Sequence, residues 1–188
     1  MDRKPFFPLD PILPMRETEQ EWIRVWPQQD FEMETDYSKV GKWLLFFDHE
    51  KECEARGLTD HEIVWQYMKY LVYDHQNTHI VSAKCSTAWE GQRNCFPDSS
   101  NGVICCYTDD YTNKLEVKMA ADAIRRIINN KCQINTPFLR PMFYKTDEAT
   151  YAGRYIHLGH RNISTYMHTC DNILFERDEF GHWQKVDF

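Results

Sequence analysis

Six basic residues sit at the ends of predicted strands or in the loops between them. They are Lys42, Lys84, Arg93, Lys145, Arg154 and Arg161, with His157 and His160 beside the last two. Arginines and lysines gathered on one concave sheet face bind phosphate through charge-assisted hydrogen bonds. The same cations scattered over an acidic surface share no task, and the sequence leaves both arrangements open. Trp43, Trp65 and Trp89, with Glu90, are by residue type the ring planes and acidic edge that hold a flat base. The cysteines (53, 85, 95, 105, 106, 132, 170) form no CxxC, and no HExxH occurs, so the closely spaced ligand pairs of a structural zinc site are missing. No nucleophile elbow and no GxxxxGK phosphate loop is present. Neither a metal nor any other cofactor is expected.

The totals set bounds. A net charge of −7 argues against coating nucleic acid through bulk charge, though not against a local basic pocket. No run of 18 apolar residues exists, so no transmembrane helix and no membrane partner is expected. The start, Met1 to Pro8, does not read as a signal peptide. Seven cysteines, an odd number with several inside predicted strands, fit free thiols in a reducing compartment, the cytoplasm or nucleus. At 188 residues the expected organisation is an extended arm over 1–20, with four prolines, and one domain over 21–188. The arm either packs on the domain edge or carries a short motif for a protein partner.

The elements that must position those cations follow from local pattern. Asn101-Gly102 opens a turn, Val103–Tyr107 is a short apolar run buried on both faces, and Thr108–Thr112 closes it: a central strand feeding a helix. Val40–Phe47 and Thr78–Ser86 are the neighbouring strands, with Lys42 and Lys84 as the charges in them. Thr59-Asp60-His61-Glu62 is a capping box for a helix to about Tyr73, with Val64, Met68, Leu71 and Val72 as its buried stripe and Trp65 off it. Asn113 to Glu116 caps a second helix reaching Asn129 or Asn130, where Arg125 and Arg126 suit the helix dipole. Trp22 and Trp26, four apart, suit one helical face before Pro27, either packed in the core or offered as a platform for stacking a base or cap. Met142–Lys145 and Tyr151–His157 read as paired strands, and Asn172–Glu176 with His182–Val186 as a hairpin. The order predicts an α+β fold with a mostly antiparallel sheet and helices on one face.

Several segments, in order, resemble a known family. They are Gly41–Phe46, Ser82–Ser86, Val103–Thr112, Tyr144–Asp147 and Thr150–Tyr155. Over about residues 38–156 the chain resembles the eukaryotic family of basophilic leukaemia expressed protein. That resemblance implies the curved antiparallel sheet, backed by helices, of translation initiation factor 4E. A fainter resemblance is to bacterial phosphothreonine lyases, which eliminate phosphate with a lysine base and a histidine acid. It implies Lys84 as the base, and Lys42, Arg93 and Arg161 on the phosphate. Leu44 stands where the acid histidine would fall, so the phosphate either leaves unaided or is protonated by another group, with His157 and His160 as the candidates.

Two main functions are therefore expected. One is non-catalytic binding of a nucleotide, RNA cap or phosphopeptide on the basic face, with Lys42, Arg93, Arg154 and Arg161 on phosphate. The other is a carbon–oxygen lyase that removes phosphate by β-elimination. A protein-interaction scaffold is the third reading.

Overall fold

The protein is seen here as a computed structural model that describes residues 12–27, 36–54, 56–90, 100–134, 137–155 and 158–188. Its strands are β1 (Trp22–Val25), β2 (Gly41–Asp48), β3 (Glu52–Cys53), β4 (Leu58–Thr59), β5 (Ser82–Ser86), β6 (Asn101–Thr108), β7 (Met142–Thr146), β8 (Tyr166–His168), β9 (Leu174–Arg177) and β10 (Trp183–Lys185). Its helices are α1 (Asp60–Tyr73), α2 (His75–Thr78), α3 (Lys114–Lys131) and α4 (Asp147–Tyr151). Eight strands make one curved antiparallel sheet in the order β1-β5-β6-β2-β7-β8-β9-β10, and β3 pairs with β4. This is the α+β fold that the element order predicts. No described helix is long and apolar enough to cross a membrane.

β2 and β6 form the longest ladder, in register from Gly41 opposite Thr108 to Asp48 opposite Asn101. Side chains alternate across a strand, so Trp43, Leu45 and Phe47 share one face and Lys42, Leu44 and Phe46 the other. The first face meets α1 and α3 in the main core, with Ile104, Cys106 and Cys85. Each fully buried Leu, Ile, Phe or Met there contributes roughly 1.5–3 kcal/mol. On the other face Cys105 and Tyr107 pack with Val40 in a smaller cluster. Cys105 and Cys106 are therefore both buried, one on each face. Two glycines allow close approach. A Cβ on Gly41 would lie 2.5 Å from the Tyr144 ring, and one on Gly102 would lie 2.6 Å from the His61 ring.

Both long helices begin at the predicted caps. The Thr59 hydroxyl accepts from the Glu62 amide at 3.2 Å, and the Glu62 carboxylate accepts from the Thr59 amide at 3.0 Å. Asn113 accepts from the Glu116 amide. The buried stripe of α1 is wider than predicted: Ile63 and Trp65 lie in the core beside Val64, Met68, Leu71 and Val72.

Four expectations are corrected. Trp22–Val25 is a strand, because a spacing of four also returns to one side of a strand, and Ile23 and Val25 alternate inward. β5 begins at Ser82, since α2 ends at Thr78 and His79 adopts a left-handed φ of 55°. Of the predicted strand Tyr151–His157, the described part, Tyr151–Tyr155, does not pair with β7: Thr146 accepts from the Ala149 amide and caps α4, and β7 pairs with β8 on its far side from β2. Residues 156 and 157 lie outside the described residues. Arg125 does not sit at a solvated helix end. It is buried, and its guanidinium donates to the carbonyls of Phe138 (3.1 Å), Arg140 (3.2 Å) and His168 (3.1 Å). The predicted C-terminal hairpin is β9–β10. Of the predicted arm, Leu13 packs on the core and the Pro14 carbonyl accepts from the Ala88 amide.

Candidate anion-binding face

The sheet face turned away from α1 and α3 gathers cations by register alone. Arg24 on β1 stands opposite Lys84 on β5, which stands opposite Cys105 on β6. One step along, Ser82 faces Tyr107, Tyr107 faces Lys42, and Lys42 faces Lys145. Lys42 and Lys84 thus flank Tyr107 and Cys105 on β6, and Lys145 stands one strand beyond Lys42.

Each lysine is held differently. Lys42 is buried and bridges to the Asp147 carboxylate, and it also donates to the Thr150 hydroxyl at 3.0 Å. Asp147 and Thr150 are three apart on α4, so the short helix presents both toward Lys42. Lys145 is buried, donates to the Arg154 carbonyl at 2.6 Å, and lies 3.7 Å from the centre of the Tyr155 ring. Lys84 is half-buried with its ammonium 4.0 Å over the Trp22 ring. Among the described residues, Asp147 is the only carboxylate ion-paired with any of these lysines or with Arg24.

The electrostatics follow. Burial lowers the pKa of Lys84, Cys105 opposes this, and the charges of Lys42 and Arg24 lower it further. Burial also lowers Lys145, and Lys42 adds to that effect. Burial raises Cys105 despite Lys84 and Lys42, and it raises Tyr107, so both stay neutral at pH 7. Three lysines and an arginine against one carboxylate leave a surplus of positive charge. In a partly desolvated site that surplus attracts an anion more strongly than it would in open water.

Of the predicted cations, Lys42, Lys84 and Lys145 lie on this face. Arg154 is exposed, and its carbonyl rather than its guanidinium serves Lys145. His160 and Arg161 are exposed in the turn that follows, where the His160 amide donates to the Tyr155 carbonyl. Arg93 and His157 lie outside the described residues. Trp43 and Trp65 have no exposed surface, so the expectation that they stack a ligand is corrected: both rings fill the helix-side core, where the Trp43 indole donates to the Val117 carbonyl. Trp89 is half-buried just beyond β5. Sequence reasoning singled out Trp22 as a stacking ring but on a helix, and it missed Arg24, Tyr107, Asp147 and Tyr155. Reading 22–25 as a strand would have placed Trp22 and Arg24 together on the face opposite Ile23 and Val25.

Beyond the cations the same face turns apolar. Leu44, Phe143, Met167, Phe175 and Trp183 are half-buried, Phe143 lies 6.2 Å from Trp183, and the Arg177 guanidinium covers Trp183 at 3.9 Å. A separate polar hollow of about 320 Å³ is bounded by α3 and the β8–β9 turn, and no predicted site residue lines it.

No family model matches this sequence, and no curated protein matches it. Among solved structures it is similar to eIF4E-3 of C. elegans in complex with the 4E-binding protein Mextli and a cap analog. That match has 12% identity, a TM-score of 0.46, and covers 70% of this chain and 65% of the other. The same factor with Mextli alone matches at 13% identity and TM-score 0.43, over 63% and 61%. Ascaris suum eIF4E-3 with an m2,2,7G cap matches at 14% identity and TM-score 0.43, over 65% and 60%. The likeness is one of fold over a segment, and the matched part spans less than two-thirds of each of those chains.

Proposed function

We propose that this protein is a non-catalytic binder of a phosphate-bearing ligand, a nucleotide, RNA cap or phosphopeptide, held on the sheet face opposite the helices. The observation that supports this reading is the cation surplus: Arg24, Lys42, Lys84 and Lys145 on one face with Asp147 as their single described ion-pair partner. Lys84 and Arg24 meet the phosphates first, because no described carboxylate pairs with them. Lys42 and Lys145 contribute charge from below. Trp22 takes the place of the buried Trp43 and Trp65 as the ring beside the phosphates, which favours a nucleotide or cap over a phosphopeptide. The elimination reading finds less support, since Leu44 lies in the row of Lys84 and no described histidine on these strands lies near it.

Titration of GTP, a cap analogue and a phosphothreonine peptide, followed by tryptophan fluorescence and thermal shift, tests the reading. Binding that weakens about tenfold or more in Lys84→Met and in raised salt is expected, as for loss of one charge-assisted contact. The absence of binding to all three ligands would refute it.

A further inference from the structure

We propose that Lys84 is a nucleophilic amine that forms a Schiff base with the carbonyl carbon of a phosphate-bearing aldehyde, the phosphate resting on the neighbouring cations. The inference rests on the anion-site reading above and adds to it a reversible covalent bond, with Lys84 on the carbonyl carbon of an aldehyde ligand and Arg24, Lys42 and Lys145 left to hold its phosphate.

The three lysines of the face are not equivalent. The Lys42 amine is held by Asp147 and Thr150, and the Lys145 amine by the Arg154 carbonyl. The Lys84 amine has no hydrogen-bond acceptor and no ion-pair partner among the described residues. The Trp22 ring supports it from one side. Register places it next to Arg24 and in line with Cys105, and the carboxylate that acts on it, Asp147, is bridged to Lys42. A lysine desolvated beside other cations loses its proton more readily and becomes a nucleophile, as the lowered pKa of Lys84 agrees. The phosphate brings the carbonyl to the amine, so addition takes place within a bound complex.

The step balances without any further reagent. The Nζ lone pair attacks the carbonyl carbon to form the C–N bond, and the carbonyl π electrons move onto oxygen, which takes one amine proton to give a carbinolamine whose C–O σ bond then breaks. That oxygen leaves as water with both amine hydrogens, and a C=N bond remains. No group is oxidised or reduced.

The test treats the whole protein at pH 7 with pyridoxal 5′-phosphate or with pyridoxal, which lacks the phosphate. Borohydride then traps the imine, and peptide mass spectrometry reads each lysine. Exposed Lys51 and Lys131 serve as internal comparators. The expected result is Lys84 labelled at least about tenfold faster than those two by the phosphate compound, with that advantage lost for pyridoxal and blocked by tripolyphosphate. Lys84→Arg should abolish the fast label. Fast labelling of Lys84 by both aldehydes would uphold the amine and overturn the anion site. Slow labelling despite a tripolyphosphate-induced thermal shift would overturn the Schiff base and leave the anion site standing. Slow labelling with no thermal shift would overturn both.

Discussion

Asp147→Asn should move stability and anion binding in opposite directions. Asp147 is the single described ion-pair partner of the lysine cluster, and the side chains of the Lys42–Asp147 pair are only 6% and 14% exposed. Neutralising one member of a buried pair strands the other charge, at a cost of about 3–5 kcal/mol for a fully buried pair. Asparagine keeps an acceptor oxygen for Lys42, and Thr150 still accepts from it, so the expected loss is about 2–3 kcal/mol. For an anionic ligand the sign reverses. The competing carboxylate is gone, and a unit charge at an effective dielectric near 20 is worth a few kcal/mol at 4 Å and less with distance. A gain of about tenfold in tripolyphosphate affinity is therefore expected. Urea unfolding at pH 7 and calorimetric titration in low salt read the two effects separately. Unchanged or weaker affinity beside a clear loss of stability would refute the argument that Asp147 offsets the cation surplus. Unchanged stability would refute the buried pair itself.

Arg125→Met leaves the carbonyls of Phe138, Arg140 and His168 without their donor, so unfolding free energy should fall by about 3 kcal/mol or more. Arg125→Lys should recover only part of it, because an ammonium cannot span the same three carbonyls. Burial lowers His61 and His168 to about 4 from an ordinary value of 6.5. The unfolded chain then binds more protons between those values. Stability is full above about pH 6.5 and is lost as pH falls toward 4, by up to roughly 3 kcal/mol per histidine. Urea midpoints measured at pH 7.5 and 4.5 check this, and equal midpoints would count against it. Gly102→Ala drives a Cβ to 2.6 Å from the His61 ring and should cost about 1–3 kcal/mol; thermal melts should show part of that loss recovered in the double variant with His61→Ala.

Much of the scaffold is local and therefore legible in the chain. The capping signals at Thr59 and Asn113 act within one turn, and each starts its helix where expected. The turn at Asn101-Gly102 and the apolar runs of β2 and β6 needed no distant partner to be recognised. The same holds for the β9–β10 hairpin. Legibility failed where one local pattern serves two structures. The Trp22–Trp26 spacing suits a helix face and a strand side alike, and pairing with β5 made it a strand. Thr146-Asp147-Glu148 continues a strand or opens a helix, and the contact of Asp147 with Lys42 accompanies the second outcome.

Which side of the sheet carries the site was a tertiary decision. In β2 the sets Trp43, Leu45, Phe47 and Lys42, Leu44, Phe46 are both largely apolar, so alternation alone could not tell core from open face. Packing of α1 and α3 chose the first set. That put Trp43 inside and brought Lys42 round to Lys84 and Lys145. Residue type and position named all three lysines among the candidate cations. Only the pairing of β1, β5, β6, β2 and β7, set by contacts across long stretches of chain, put them on one face with Arg24 and Trp22. Partners so far apart in sequence leave no local periodicity to read.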